Sequence, residues 1–435
     1  MIRTSLKSLD DFYSKGLTKN PSYRIFLLKS LKKTLKAREE ELLAALYLDL
    51  NKPRQEAFLT ELLLVYKEID LMVKKLEGWQ KKSYRTGILQ QPARAYSVFE
   101  PRGRVLILSP WNYPVHLSLL PLVGALAAGN VVMLRPSSTT PETSRVLKEV
   151  LEDWNSRVVQ VVLGDVYDEL LEEAWDLVFF TGSPSVGRIV ASKAGKTLSP
   201  TILELGGKSP ALVVDGDMKK VAERILIGKL LNCGQTCIAP DYVLVTRDNK
   251  TRLVEELISA YEAMGDSGVR IVSERHFDRL EAYLEDEEII YESLRDRTTG
   301  AFGLYLVEPR SDSRVMEEEI FGPILPIVEM EFDEMLAYVK AGHKPLALYG
   351  FTEDDRVWKK VLKELSFGGG VRGGTIFHLV GEMPFGGVGD SGYGSYHGRR
   401  SFEAFSHEKA ILDKKWGYTN PMKEIPFLDK ISKLL

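Results

Sequence analysis

Cysteine is almost missing from this chain: among 435 residues there are two, Cys233 and Cys237. So few thiols exclude a disulfide framework and fit a reducing, cytoplasmic setting. The six histidines are scattered, and no Cys/His cluster has the spacing of a zinc site, so no metal is expected. No charge of one sign dominates. Lys and Arg number 58 against 61 Asp and Glu, a net of −3. That balance gives no footprint for nucleic acid or for an anionic membrane surface. Met1–Gly16 has no apolar core of signal-peptide length. Phe427–Leu435 is too short and too charged to cross a bilayer, and no membrane span is expected. Internal repeats and low-complexity segments are also lacking.

The remaining composition is that of an ordinary globular protein, with 44% hydrophobic and 27% charged residues. The length suggests two or three domains with ample chain for real cores. Residues 8 to about 82 read as helices, with apolar positions at helical spacing through Ile25, Leu28, Leu31 and Leu35, then Leu42, Leu43 and Leu46. A basic, polar stretch from Lys81 to Arg94 reads as a short strand or arm. From residue 103 short apolar strands alternate with helices. Strands are expected at 105–108, 131–134, 158–163, 177–180 and 202–205, and helices at 116–128, 142–153, 166–174 and 184–195. Such alternation predicts a parallel, doubly wound α/β sheet, which binds ligands at the carboxyl ends of its strands. A second alternating region, about 207 to 390, has strands near 210–214, 242–246 and 324–328.

Several short segments carry polar groups where chemistry is possible. Asn232-Cys233-Gly234-Gln235-Thr236-Cys237 holds both thiols between a predicted helix and a predicted strand; on base rates alone such a pair is buried packing. Gly182, Ser183 and Gly187 lie where a strand meets a helix. Ser183 suits the N-cap and Pro184 the first helical position, and a helix N-terminus binds anions such as pyrophosphate. A tight turn explains the glycines equally well. Trp111 and Asn112 stand between Pro110 and Pro114, offering a side-chain amide or only a turn. Glu204 puts one carboxylate in an apolar strand end, where desolvation raises its pKa towards that of a general base; an ion pair with Lys208 is the plain alternative. Glu319 and Phe321 present an acid and a ring two residues apart on an extended segment. Pro384–Gly392 is a glycine-rich loop.

In their order and combination these segments resemble the NAD(P)-dependent aldehyde dehydrogenase superfamily, over nearly the whole chain to about residue 413. The class 3 branch is the nearest in pattern, through the short N-terminus, Lys344–Tyr349 and Gly394–Gly398. The resemblance implies a Rossmann-like cofactor domain (1–82 and 97–205), an α/β catalytic domain (206–393) and a small β-arm for oligomerisation (83–96 and 394–420), assembling as a homodimer. It implies Cys237 as the nucleophile and Glu204 as the general base. Asn112, with the Cys237 backbone N–H, becomes the oxyanion hole. Gly182, Ser183 and Gly187 become the pyrophosphate turn, Glu319 and Phe321 contact the nicotinamide ribose and ring, and Trp111 walls the channel. The expected reaction oxidises an aldehyde, medium- to long-chain or aromatic, to its acid through a thiohemiacetal and a thioester on Cys237. The same thiol could instead serve an acyl-CoA or acyl-phosphate reductase, or the fold could persist without catalysis.

Two departures stand out. Where the family reads Lys-Pro-Ser-Glu, this chain has Arg135-Pro136-Ser137-Ser138. Loss of the acid at Ser138 removes repulsion of a 2′-phosphate, and Arg135 can pair with one, so NADP is expected to be used at least as well as NAD. Residues 286–308 and 366–375 look shortened. Cys233 is expected to pack, with a transient disulfide to Cys237 as the alternative.

Overall fold

The computed structural model describes residues 2–85, 87, 93–285, 287–310, 313–376 and 382–414. Its first sheet has six strands in the order Gly392–Tyr393, Thr201–Leu205, Leu177–Gly182, Arg104–Leu108, Val131–Arg135 and Val159–Val161. All neighbours are parallel except Gly392–Tyr393, which pairs antiparallel with Gly392 opposite Glu204. The central strands read as unbroken apolar runs because both faces are covered; Val105–Leu108 and Val131–Leu134 are fully buried. One covering element is the helix His116–Ala128, in which every residue is buried. A helix apolar all round belongs in a core, and this one packs between the sheet and the N-terminal helices Pro21–Ala37 and Leu63–Trp79.

The second sheet has seven strands in the order Glu288–Glu292, Tyr305–Glu308, Ile324–Glu329, Tyr242–Val245, Pro210–Val213, Ala347–Phe351 and Gly369–Arg372. All but the first run parallel. A third, antiparallel sheet joins Ser83–Tyr84, Arg94–Pro101 and Ser406–Asp413. Parts of 83–96 and 394–420 thus share one sheet; residues 86, 88–92 and 415–420 lie outside the described residues.

Predicted and observed elements agree within a few residues at each end. The parallel α/β reading holds for the first sheet, and the second alternating region likewise forms a mostly parallel sheet. Within 286–308, which look shortened and of which residue 286 lies outside the described residues, Glu288–Glu292 pairs antiparallel with Tyr305–Glu308 at the edge of the second sheet, and Arg295–Asp296 forms a small hairpin with Ala301–Phe302. Neither they nor 366–375 line the cleft described next.

Candidate active site

A cleft of about 900 Å³ opens at the carboxyl ends of the first sheet's strands and runs along the second region. It brings together Trp111, Asn112, Gly182, Ser183, Glu204, Cys237, Glu319 and Phe321, which are scattered over two hundred positions of sequence.

The Cys237 turn is locally unusual. The helix Met218–Leu230 ends, and Asn232 and Cys233 both take left-handed backbone angles, each with φ 55°. Only strong surroundings hold such residues there. Asn232 and Gln235 supply them. Asn232 Nδ2 donates to the Gln235 carbonyl at 3.1 Å. Gln235 Nε2 donates to the carbonyls of Asn232 and Arg270, and its Oε1 accepts from the Val272 N–H. Gly234 is required because a side chain there would strike the Gly322 carbonyl. Tyr349 ties down the far side by donating its hydroxyl to the Ile238 carbonyl. The two cysteines therefore do not sit one helical turn apart. Cys237 is half-buried in the cleft, whereas Cys233 points away and donates its thiol to the Phe302 carbonyl at 3.2 Å.

Burial pushes the Cys237 thiol well up, and the Glu319 and Glu204 carboxylates push it further. The Cys237 and Ile238 N–H groups work the other way. Glu204 is 3% exposed, and among the described residues neither carboxylate oxygen has a hydrogen-bond partner. Desolvation alone raises its pKa well above the carboxylate range. The alternative ion pair is not made: Lys208 bonds Asp241 at 2.5 Å and the carbonyls of Val315 and Glu318.

Asn112 donates Nδ2 to the Gln235 carbonyl at 3.0 Å, which leaves its second N–H for another acceptor. Glu319 and Phe321 do not share an extended face, because Phe321 is left-handed with φ 51°. The turn lets the Phe321 ring meet Trp111 edge-on, centroids 5.4 Å apart, while Trp111 also packs on His276. Asp241, through its second oxygen, accepts the Ile320 N–H at 3.0 Å and so fixes this turn. Burial, then Asp241, pushes the Glu319 carboxyl up to about 8, against the Gly207 N–H that bonds it. A Cβ on Gly206 would fall on that same carboxylate.

These groups fit a dinucleotide. Ser183 caps the helix Pro184–Lys196, accepting the Val186 N–H, with Pro184 in its first turn as the sequence predicts. Gly187 packs flush on Leu205. The helix N-terminus suits a pyrophosphate, and the Glu319 carboxyl with the Phe321 and Trp111 rings suits a ribose and a flat ring.

Arg135 and Ser138 lie apart from this constellation, outside the cleft lining. Arg135 is 4% exposed, bonds the Gly164 carbonyl through Nε and Nη2, and stacks 4.3 Å over Tyr167. Ser138 is exposed. His276, which no motif signals, lines the cleft; burial, then Arg279 and Arg275, push it down to about 4.

Comparison with known proteins decides what the cleft belongs to. The model of the aldehyde dehydrogenase family matches residues 16–411. The chain belongs to the aldehyde dehydrogenase family. It is 40% identical over 431 residues to the 4,4'-diaponeurosporen-aldehyde dehydrogenase of Staphylococcus aureus, covering 93% of this chain and 92% of that protein. It is 41% identical over 428 residues to aldehyde dehydrogenase family 3 member B1 of Bos taurus, covering 95% and 92%. Among solved structures, a substrate-bound state of Staphylococcus aureus AldH aligns with a TM-score of 0.96 at 38% identity, over 100% of this chain and 98% of that one. The resemblance to the class 3 branch and the expected fold are borne out. This aldehyde dehydrogenase oxidises an aldehyde to the acid with NAD(P). Among the described residues no helix is long and apolar enough to cross a membrane.

Proposed function

We propose that Cys237 is the nucleophile of this aldehyde dehydrogenase, Glu204 its general base, and Asn112 with the Cys237 N–H its oxyanion hole. The observation that carries the reading is the unpartnered, buried Glu204 carboxylate in the same cleft as the half-buried thiol. A carboxylate left without any hydrogen bond is costly, and a base awaiting water or a proton accounts for it.

In this reading the Cys237 thiol gives its proton to solvent water and its sulfur adds to the aldehyde carbon. The oxygen of that carbon gains negative charge and receives the second Asn112 N–H and the Cys237 N–H. What NAD(P) supplies when bound is acceptance of the hydride as the thioester forms on Cys237. Glu204 then takes a proton from water, whose oxygen attacks the thioester and releases the acid. Gly182, Ser183 and Gly187 hold the pyrophosphate, Glu319 the ribose hydroxyls, and Phe321 and Trp111 the ring. Glu204 favours release by water over a reductase acting on an acyl-CoA or acyl phosphate. His276 does not replace it: pushed down to about 4, it makes no hydrogen bond to Cys237 among the described residues and packs on Trp111.

The preferred aldehydes in this reading are apolar, medium- to long-chain or aromatic, because Trp111, Leu117, Phe385 and Tyr396 wall the cleft. The staphylococcal relative, named for a 4,4'-diaponeurosporen-aldehyde, is in keeping with that. NADP is accepted alongside NAD because Ser138 presents no charge; Arg135 contributes less, since its Nε and Nη2 are already engaged by the Gly164 carbonyl. The chain works as a cytoplasmic homodimer. Supporting the dimer, the strand Ser406–Asp413 forms an exposed edge of the arm sheet, and such edges accept a further strand. Residues 1–82 and 97–205 form the cofactor domain, 206–393 the catalytic domain, and 83–96 with 394–420 the arm, except that Gly392–Tyr393 adds to the cofactor sheet and 97–101 continue the arm strand Arg94–Pro101.

The test is NAD(P)H absorbance with a panel of aliphatic and aromatic aldehydes, Cys237→Ala serving as control. Cys237→Ala is expected to give no signal; a variant as active as the wild type would sink the assignment.

A further inference from the structure

The turn that carries Asn112 is held from beneath by a buried ion pair from the N-terminal helices. Lys52 follows the helix Glu39–Leu50, and Glu61 lies in a π-helical turn, Phe58–Leu62. Both side chains are fully buried, with Nζ and Oε1 2.6 Å apart. Burying two charges costs desolvation, and such a pair persists only when its remaining valences are satisfied. Here they are spent on one place. Lys52 Nζ donates to the Asn112 carbonyl at 3.2 Å and lies 4.3 Å over the Tyr113 ring. Glu61 Oε2 accepts the N–H groups of Val115 and His116 at 3.0 and 2.9 Å. The pair therefore grips residues 112, 113, 115 and 116 in turn. Glu61 lies within the π-turn itself, and such turns are frequent at functional sites.

The same carbonyl is gripped from the other side. Asn232 Nδ2 donates to the Asn112 oxygen at 2.8 Å, while Glu56 accepts the Asn232 N–H at 2.8 Å. Asn112 Nδ2 then reaches the Gln235 carbonyl. Asn112 is thus tied by its backbone to Lys52 and by its side chain to the turn that presents Cys237.

We infer that Lys52 and Glu61 are positioning residues that set the aim of the Asn112 amide at the oxygen developing on the Cys237-bound carbon. The inference rests on the proposed role of Asn112. A pair that merely fills the core would lower stability and leave the individual catalytic steps in proportion. A positioning pair acts on the step in which the oxyanion forms and collapses.

Four variants of the full-length enzyme separate these: Lys52→Met, Glu61→Gln, Asn112→Ala, and Lys52→Met with Asn112→Ala. The readouts are the first-turnover NAD(P)H burst with an aldehyde and its C1-deuterated form, the cofactor Kd, and the rate of acyl-enzyme hydrolysis. Asn112→Ala is expected to slow the burst by about 10²–10³-fold, the usual effect of removing one oxyanion donor. Lys52→Met is expected to slow it by about tenfold or more, with a larger deuterium effect and an unchanged cofactor Kd. The double variant should be within about twofold of Asn112→Ala, because both changes remove one interaction. A wild-type burst in Lys52→Met, or losses that multiply, overturns the inference. Should Lys52→Met not fold, Glu61→Gln decides: it keeps an acceptor for Val115 and His116, and an unchanged burst overturns the pair's role. A wild-type burst in Asn112→Ala alone overturns instead the oxyanion reading on which that role rests.

Discussion

The two ends of the cofactor side of this enzyme are built on opposite principles. Around Cys237 the groups are buried and under-satisfied: Glu204 has no partner, Glu319 is pushed up to about 8, and two residues hold left-handed backbone. Around Arg135 everything polar has found its own company. Its guanidinium bonds Gly164 and stacks on Tyr167, and Ser138 faces solvent. The contrast shows where binding energy is useful. The reacting end keeps its acid and thiol groups desolvated and aimed, so that they act only when a substrate or water arrives. The distal end needs only to avoid repelling its ligand.

The sharpest way to break that contrast is Glu204→Gln. Loss of a general base is expected to lower steady-state turnover by about 10²–10⁴-fold while the first-turnover burst of NAD(P)H survives. Rapid-mixing absorbance checks this; a burst lost in step with turnover would move Glu204 to an earlier role.

The tolerance for buried acids extends behind the cleft to Glu68, which is 7% exposed and accepts the Gly398 N–H at 2.9 Å. Burial pushes it up to about 7. A carboxyl raised on folding stabilises the protein fully below its unfolded value near 4.3, and that contribution is lost as pH rises through the folded value. Between pH 5 and 8 the wild type should therefore lose on the order of 3 kcal/mol that Glu68→Gln does not. Denaturant midpoints of both proteins at the two pH values test this, and parallel curves would refute it.

At the distal end Ser138→Glu restores a carboxylate at the position that the proposed cofactor reading sets against the phosphate of NADP. One like charge at close range is worth about tenfold or somewhat more in kcat/KM for NADP, with NAD little affected. Equal loss for both cofactors would mean that Ser138 does not face the 2′ position.

Much of this architecture is legible from residue patterns, and the exceptions have physical causes. The parallel strands announce themselves because double burial demands apolar runs such as Val131–Leu134. The pairing of Arg94–Pro101 with Ser406–Asp413 does not. Ser406–Asp413 is mostly exposed and Arg94–Pro101 mostly half-buried, and the partners are about three hundred residues apart in sequence. Cys237, Glu204 and Glu319 stand out by context, yet the backbone turns at Cys233 and Phe321 are missed, since helical or extended spacing presumes ordinary φ. Lys52 and Glu61 look like surface charges on amphipathic helices, because nothing local reveals that a π-turn and Asn112 enclose them. Lys208 is read beside the wrong acid for a similar reason: sequence proximity favours Glu204, whereas Lys208 lies in the loop between Thr201–Leu205 and Pro210–Val213 and reaches Asp241.

Cys233 offers the smallest expected effect and isolates what distinguishes the two thiols. It is 2% exposed, its Sγ is engaged with the Phe302 carbonyl, and burial pushes it up to about 12. Thiolate is the species that reacts with peroxide or with a sulfenic acid, so at neutral pH this sulfur has almost none to offer. To meet Cys237 it must also leave a left-handed backbone position that neighbours hold in place. Cys233→Ser keeps a donor for Phe302 and a similar volume. Peroxide inactivation and its reversal by added thiol should therefore match the wild type within error. Faster or less reversible inactivation of Cys233→Ser would show that the turn opens far enough for Cys233 to shield Cys237 as a disulfide, and the rigidity argued for the reacting end would fail with it.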